Sequence, residues 1–172
     1  MTPPRVDTPR LVLRGHRPED LAPCAAMWGD PLVTRHIGGP RFSEEEVWSR
    51  LLRYAGHWAL CGFGFWAIEE RASGRFVGDV GLADFKREGL PSFDGAPEAG
   101  WALAPWAQGR GLATEAVTAA LSWHEAHAGR TRVVCMIDPD NAPSLRVADK
   151  CGFRPWQPAV YKGQPTLLFE RP

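Results

Sequence analysis

Neither sign of charge is in excess: Lys plus Arg equals Asp plus Glu at 20 each, and the formal net charge is zero. A neutral chain lacks the broad basic footprint that non-specific nucleic-acid binding requires. No basic amphipathic stretch marks a membrane surface, and no segment approaches the roughly 18 uninterrupted apolar residues of a membrane span. The first ten residues, M-T-P-P-R-V-D-T-P-R, hold no apolar run of signal-peptide length. Cysteine is sparse, at Cys24, Cys61, Cys135 and Cys151, and no two form a C-x-x-C pair, which excludes a zinc knuckle and a dithiol redox motif. Four cysteines permit two disulfides, but with no secretory signal the expectation is free thiols in a reducing cytoplasm. Gly at 18 and Pro at 16 stay below the level of low complexity. No repeat, charge block or linker divides the 172 residues, so residues 1–172 are expected to form one domain.

What is present has clear periods. Residues 10–14, R-L-V-L-R, alternate as a strand does. A helical stretch follows Pro18 and runs to about Trp28. Gly38-Gly39-Pro40 breaks the chain, and Ser43-Glu44-Glu45-Glu46 has the form of a capping box opening a helix to about residue 59. G-F-G-F-W-A-I-E-E and R-F-V-G-D-V-G-L-A-D-F read as two strands joined at Ala72-Ser73-Gly74. A Gly- and Pro-rich loop at 87–97 leads to a third strand at 98–104. The Ala-rich run from Leu112 to about Ala128 predicts a helix ending at Gly129. T-R-V-V-C-M-I predicts a buried strand, Asn141 an N-cap for a helix to Gly152, and T-L-L-F-E at 166–170 a last strand. The expected fold is α/β, a mixed, mostly antiparallel sheet flanked by helices in the order β-α-α-β-β-β-α-β-α-β.

The most informative run is W-A-L-A-P-W-A-Q-G-R-G-L-A-T-E-A, residues 101–116. A strand passes through a Gly-containing loop into the start of a helix, where free amides and a partial positive charge suit a phosphate. Gly109 and Gly111 allow the backbone to approach a diphosphate, Arg110 can add charge at the mouth, and Thr114 can supply a hydroxyl. Three readings compete for this string. Two glycines can simply turn a tight corner. A dinucleotide fold fits poorly, because Thr114 stands at the third glycine position and Asp138 lies later than the ribose-binding acid should. The third reading is a resemblance. Gln108-Gly109-Arg110-Gly111-Leu112-Ala113 is similar to the Q/R-x-x-G-x-G/A motif of the GNAT acetyltransferases. T-P-R-L-V-L-R, F-V-G-D-V-G-L, Asn141-Ala142-Pro143-Ser144 and Lys150-Cys151-Gly152-Phe153 resemble the ribosomal-protein N-terminal (Rim-type) branch, in the family's order.

The resemblance implies acetyl-CoA as co-substrate, bound where the strand at 98–104 parts from its neighbour. It implies that the backbone near Leu103 pairs with the pantetheine arm. It further implies that the amides of Gly109, Arg110, Gly111, Leu112, Ala113 and Thr114 hold the diphosphate, with Gln108 at the mouth. Asn141 resembles the residue that bonds the cofactor arm. Ser144 resembles the hydroxyl that donates to the departing thiolate. Many GNAT branches use a Tyr for that step, but Tyr54 and Tyr161, the two tyrosines present, both lie outside the last helix. A neutral amine must attack the thioester, so a proton acceptor is needed. Glu98, at the start of the third strand, resembles the family's acidic base, acting directly or through water, and Asp84 and Glu69 stand in reserve. With no Cys positioned for an acetyl-enzyme, direct transfer to a primary amine is expected. The acceptor is a small-molecule amine or a protein N-terminus, and a homodimer is compatible with the family. A non-enzymatic acyl-CoA-binding or regulatory module on the same fold is the alternative.

Weaker signals are weighed beside these. His124 and His127 sit three apart, one short of the zincin spacing, with no third ligand, and no metal is expected. Of the eight tryptophans, Trp58, Trp66 and Trp123 fall on apolar faces. Trp28, Trp101 and Trp106 suit either an acceptor cleft or plain packing. Cys151 reads as a small buried hydrophobe.

Overall fold

The computed structural model describes residues 2–38 and 41–172, so the Gly39-Pro40 part of the predicted chain break lies outside the described residues. Strand β1 is Val6–Asp7 and β2 is Leu11–Arg14; helices α1 (Leu21–Trp28), α2 (Pro31–Thr34) and α3 (Glu44–Cys61) follow. Strands β3 (Phe65–Glu70), β4 (Phe76–Ala83) and β5 (Glu98–Leu103) precede helix α4 (Leu112–Ala128). Strand β6 (Val133–Ile137), helix α5 (Ala142–Lys150) and the pair β7 (Arg154–Tyr161) and β8 (Gln164–Arg171) complete the chain.

The local signals act as expected. Ser43 Oγ accepts from the Glu46 amide while Glu46 bonds the Ser43 amide, so the start of α3 is sealed on both sides. Gly74, at φ +69°, closes the β3–β4 turn in a conformation a side chain would strain. The expected order lacks three elements. Two are small: β1, and α2, which is capped by Asp30. The third is β7, whose Pro155 and Pro158 argue against a strand. It forms because it is an edge: it pairs only with β8, and the register shifts between Pro155 and Gln157. β8 is correspondingly longer than the predicted 166–170, since it has partners on both sides.

The eight strands lie in the order β1-β2-β3-β4-β5-β6-β8-β7. Every pairing is antiparallel except β5 with β6, joined through α4. That exception positions the site. Glu98 opposite Val134 is the single paired register position between β5 and β6, supported by the Val134 amide donating to the Pro97 carbonyl at 3.0 Å. On its other edge, β5 pairs with β4 over its whole length, from Ala83↔Glu98 to Gly78↔Leu103. The two parallel strands therefore meet at one end and part toward their C-termini.

Helices α4 and α5 pack on one face around Leu112, Val117, Leu121, Ala148 and Phe153. Helices α1 to α3 cover the other around Cys24, Met27, Trp28, Val47 and Leu51. At one end Trp58, Trp66 and Trp123 meet edge to face at 4.7–5.2 Å. Such pairs each contribute about 0.5–1.5 kcal/mol beyond burial. Trp28 is core as well: it is 3% exposed and donates from Nε1 to Asp79 Oδ2 at 3.0 Å. No helix among the described residues is long and apolar enough to cross a membrane.

Candidate active site

In sheets with parallel strands, ligands bind in the crevice outside the carboxyl ends. Here the loop after β5 leads into α4, and the loop after β6 leads into α5, so both candidate cofactor segments stand at the open end of the gap. Gly109 and Gly111 take φ of +74° and +75°. A Cβ at Gly109 would meet nothing within 4 Å, and one at Gly111 only Arg10 Nη2 at 3.5 Å. The glycines serve the left-handed turn, and the space beside them is open. Gly111 is the N-cap of α4, and no side chain caps that helix. Unlike α3, then, α4 presents first-turn amides without a side-chain acceptor, which suits an anion.

The turn is braced from the far edge of the sheet. Thr8 Oγ1 and the Arg10 amide both donate to Glu115 Oε1, at 2.6 and 2.8 Å, and Arg10 Nε donates to Oε2 at 2.7 Å. Arg10 Nη1 also donates to the Arg110 carbonyl at 2.8 Å. Burial works against the Glu115 charge, but these hydrogen bonds outweigh it and its pKa is lowered. The T-P-R of the N-terminal motif is thereby tied to the first turn of α4. Gln108 Nε2 donates to the Leu103 carbonyl at 3.0 Å, fixing the end of β5 to the loop. Arg110 reaches Glu70 Oε1 at 2.8 Å, so its charge is balanced within the protein. Trp106 lies between Arg75 and Arg110, 4.1 and 5.5 Å from its ring, beside this loop.

At α5, Asn141 Oδ1 accepts from the Ser144 amide at 3.2 Å, the capping bond predicted for it. The half-buried Ser144 has no partner for its hydroxyl among the described residues. Cys151 is buried, with its Sγ 3.8 Å from Thr118 Oγ1 and 3.9 Å from the Thr114 carbonyl. Burial pushes its thiol pKa up. Thr114, half-buried in the first turn of α4, is thus backed by α5.

Glu98 sits at the closed end of the gap, 6% exposed. Its carboxylate is held side-on by Arg87, with Nε donating to Oε2 at 2.5 Å and Nη2 to Oε1 at 2.7 Å. Arg87 lies over the rings of Phe85 and Tyr161 at 4.7 and 4.9 Å. Neither Arg87 nor Tyr161 carried a sequence signal, one in the irregular loop and one at the end of the unpredicted β7. The two reserve acids are placed differently. Asp84 follows Ala83, the register partner of Glu98, but pairs with exposed Lys86 at 2.6 Å, which lowers its pKa. Glu69 pairs with Arg14 at 2.7 Å beside Asp20, at the other end of β3.

The two helical histidines do not converge. His124 Nε2 lies 3.1 Å from Thr131 Oγ1, and His127 Nδ1 lies 2.7 Å from the Trp123 carbonyl. Among the described residues, His16, Cys24 and Asp79 bring potential ligand atoms within 4.8 Å of one another. His16 Nε2 is already 2.7 Å from Asp79 Oδ1, and burial drives the Cys24 thiol pKa up, away from the thiolate a metal requires. The four cysteines are free, three buried and Cys61 exposed.

Comparison with known proteins identifies the family. The model of the acetyltransferase (GNAT) domain matches residues 10–154. A solved structure assigned to the GnaT-family acetyltransferases, from Bordetella pertussis, superposes with a TM-score of 0.85 at 35% identity, covering 98% of this chain and 99% of that one. An uncharacterized N-acetyltransferase, p20, of Bacillus licheniformis is 24% identical over 86% of this chain and 80% of its own length. RimL, a ribosomal L7/L12 α-N-protein acetyltransferase solved with coenzyme A, shares the fold at 15% identity, with a TM-score of 0.77 over 98% and 97% of the two chains.

Proposed function

This chain belongs to the GNAT acetyltransferase family and is an acetyl-CoA-dependent N-acetyltransferase, and from that premise we propose that it acts as a single cytoplasmic domain, by direct transfer to a primary amine. The observation that carries the reading is the single rung at Glu98↔Val134. Beyond it, among the described residues, the β5 edge from Gly100 to Leu103 lacks a strand partner, and an extended pantetheine arm can supply one. The diphosphate then meets the backbone of Gly109, Arg110, Gly111, Leu112, Ala113 and Thr114. Gln108 and Leu103 shape the mouth, and Asn141 lies alongside the arm.

The thioester enters toward the closed end of the gap, where Glu98 stands. A carboxylate offers about four lone-pair sites. Arg87 occupies two, fixing the orientation and leaving one on each oxygen for a water or an amine. In the proposed step the amine nitrogen attacks the thioester carbonyl carbon and its proton passes toward Glu98, through water because the carboxylate is buried. Backbone amide at β5 meets the oxyanion. The carbon–sulfur bond then breaks, and Ser144 donates to the thiolate. The acceptor is a primary amine, on a small molecule or a protein N-terminus. Incubation with acetyl-CoA and an amine panel, read by CoA release and product mass, tests the proposal. An acetylated amine with stoichiometric CoA is expected; CoA released only by hydrolysis overturns it.

A further inference from the structure

Beyond Glu98, on the side of the sheet covered by α1 to α3, two more arginines follow Arg87. Arg50 and Arg53 stand one turn apart on α3 and so share a face. Arg87 and Arg53 lie against the same ring, with guanidinium carbons 4.7 and 5.2 Å from the centroid of Phe85. Arg50 lies over Trp28 at 4.0 Å and Phe42 at 4.7 Å. The difference between the three is charge balance. Arg87 has Glu98. Among the described residues, no carboxylate pairs with Arg50 or Arg53. Arg50 donates to the Tyr54 hydroxyl at 3.4 Å, while its Nε is buried without any acceptor.

A pocket of about 380 Å³ opens beside this pair, lined by Phe42, Glu45, Glu46, Ser49, Arg50 and Arg53. Two acids line the same pocket, but among the described residues neither forms an ion pair with Arg50 or Arg53. Glu46 is committed to the Ser43 amide at 2.7 Å, and exposed Glu45 makes no ion pair. Two guanidiniums held one turn apart repel, and burying a donor without a partner is costly. Desolvation around the Arg53 head, followed by repulsion from Arg50, lowers its pKa, although the residue as a whole stays exposed. An anion seated between the two guanidiniums would relieve their mutual repulsion, with Glu45 and Glu46 at the rim setting how close it comes. The planar fork of Arg suits a carboxylate in particular.

We propose that Arg50 and Arg53 form the carboxylate subsite of the acceptor cleft, and that the acceptor is a free amino acid. Its carboxylate docks on α3 at the Arg53 side of Phe85, which places its amine on the side of the ring that Arg87 and Glu98 share. This inference rests on the transfer reading above and narrows it to one substrate class. It also gives Arg87 a second duty, because neutralising Glu98 leaves the cleft with one anionic-binding end.

The test compares each of the common amino acids with its own carboxamide, in wild type and in Arg53→Gln. The amide removes the carboxylate and leaves an amine that loses its proton more readily, so weaker use of the amide cannot come from amine basicity. At least one amino acid is expected to exceed its amide by about tenfold or more in kcat/KM. In Arg53→Gln that preference should vanish through a higher KM for the acid, with activity on the amide and CoA affinity by calorimetry unchanged. Arg50→Gln should act alike if it folds, but Arg50 packs on Trp28, so Arg53→Gln carries the decision. Equal use of acid and amide, a polyamine ahead of every amino acid, or a variant that loses both substrates equally overturns the subsite. A parallel arm measures Tm with CoA present. An amino acid that raises Tm in wild type but not in Arg53→Gln, with no acetylated product, sustains the subsite while overturning the transfer reading. Acetylation confined to amines without a carboxylate does the reverse.

Discussion

Arg87 meets Glu98 side-on, one nitrogen to each carboxylate oxygen at 2.5 and 2.7 Å, at the one position where the two parallel strands touch. The pair closes the gap and aims the carboxylate in one act. If Glu98 receives the proton, Glu98→Gln keeps the shape and removes the basicity. The variant should lose on the order of a hundredfold in kcat/KM near neutral pH. It should regain part of that at high pH, where more of the amine is already neutral. A loss by one constant factor across a pH–rate profile assigns Glu98 to positioning instead.

Gly111→Val places a β-branched side chain at φ +75°, beside the loop proposed to hold the diphosphate. CoA affinity should fall by at least about tenfold, ~1.4 kcal/mol. Calorimetry on the folded variant is the check, and unchanged binding removes the loop from the site. In wild type, acetyl-CoA at a hundred times its Kd should add about 2.7 kcal/mol to stability and raise Tm accordingly.

Ser144→Ala should lower kcat by about ten- to a hundredfold with little change in acetyl-CoA affinity, because the hydroxyl matters most as charge builds on sulfur. The cap from Asn141 to the Ser144 amide survives this change, so the start of α5 should remain intact. An unaltered kcat in steady-state assays leaves the thiolate to another donor.

Much of the geometry of this candidate site was readable because it is set by local backbone signals. Gly109 and Gly111 announce a left-handed turn before a helix, and Asn141 announces a cap; both signals are local. Ser43 and Glu46 specify the start of α3 in the same way. The rest depends on partners far apart in the chain. Arg87 sits in a loop with no period, and only the fold sets it against Glu98. Arg50 and Arg53 carry no sequence signal, and only the fold shows that, among the described residues, neither pairs with a carboxylate. β7 was hidden by Pro155 and Pro158, which an edge strand tolerates and a central one does not. The T-P-R motif was visible, but its work on Glu115 spans more than a hundred residues.

That brace has a pH signature. The folded pKa of Glu115 lies below its unfolded value, so its stabilisation is complete above the ordinary carboxylate range and is lost as pH falls through the folded pKa. Glu115→Gln should cost about 1.5 kcal/mol at neutral pH. The gap from wild type should close as denaturation curves are taken below about pH 4. A constant gap at every pH points to packing and not charge.

Strands β1 to β5 neighbour one another in chain order, and β6, β7 and β8 form a second local group. The β1–β2, β3–β4 and β7–β8 pairs close short loops, whereas β2 meets β3 only after the three helices between them. Within the sheet the two groups pair at the rung at Glu98, while the core under α4 and the Arg87–Tyr161 contact also span them. In native-state hydrogen exchange the two groups are expected to open as separate cooperative units. A cofactor bound along that seam, as proposed, would weld them into one.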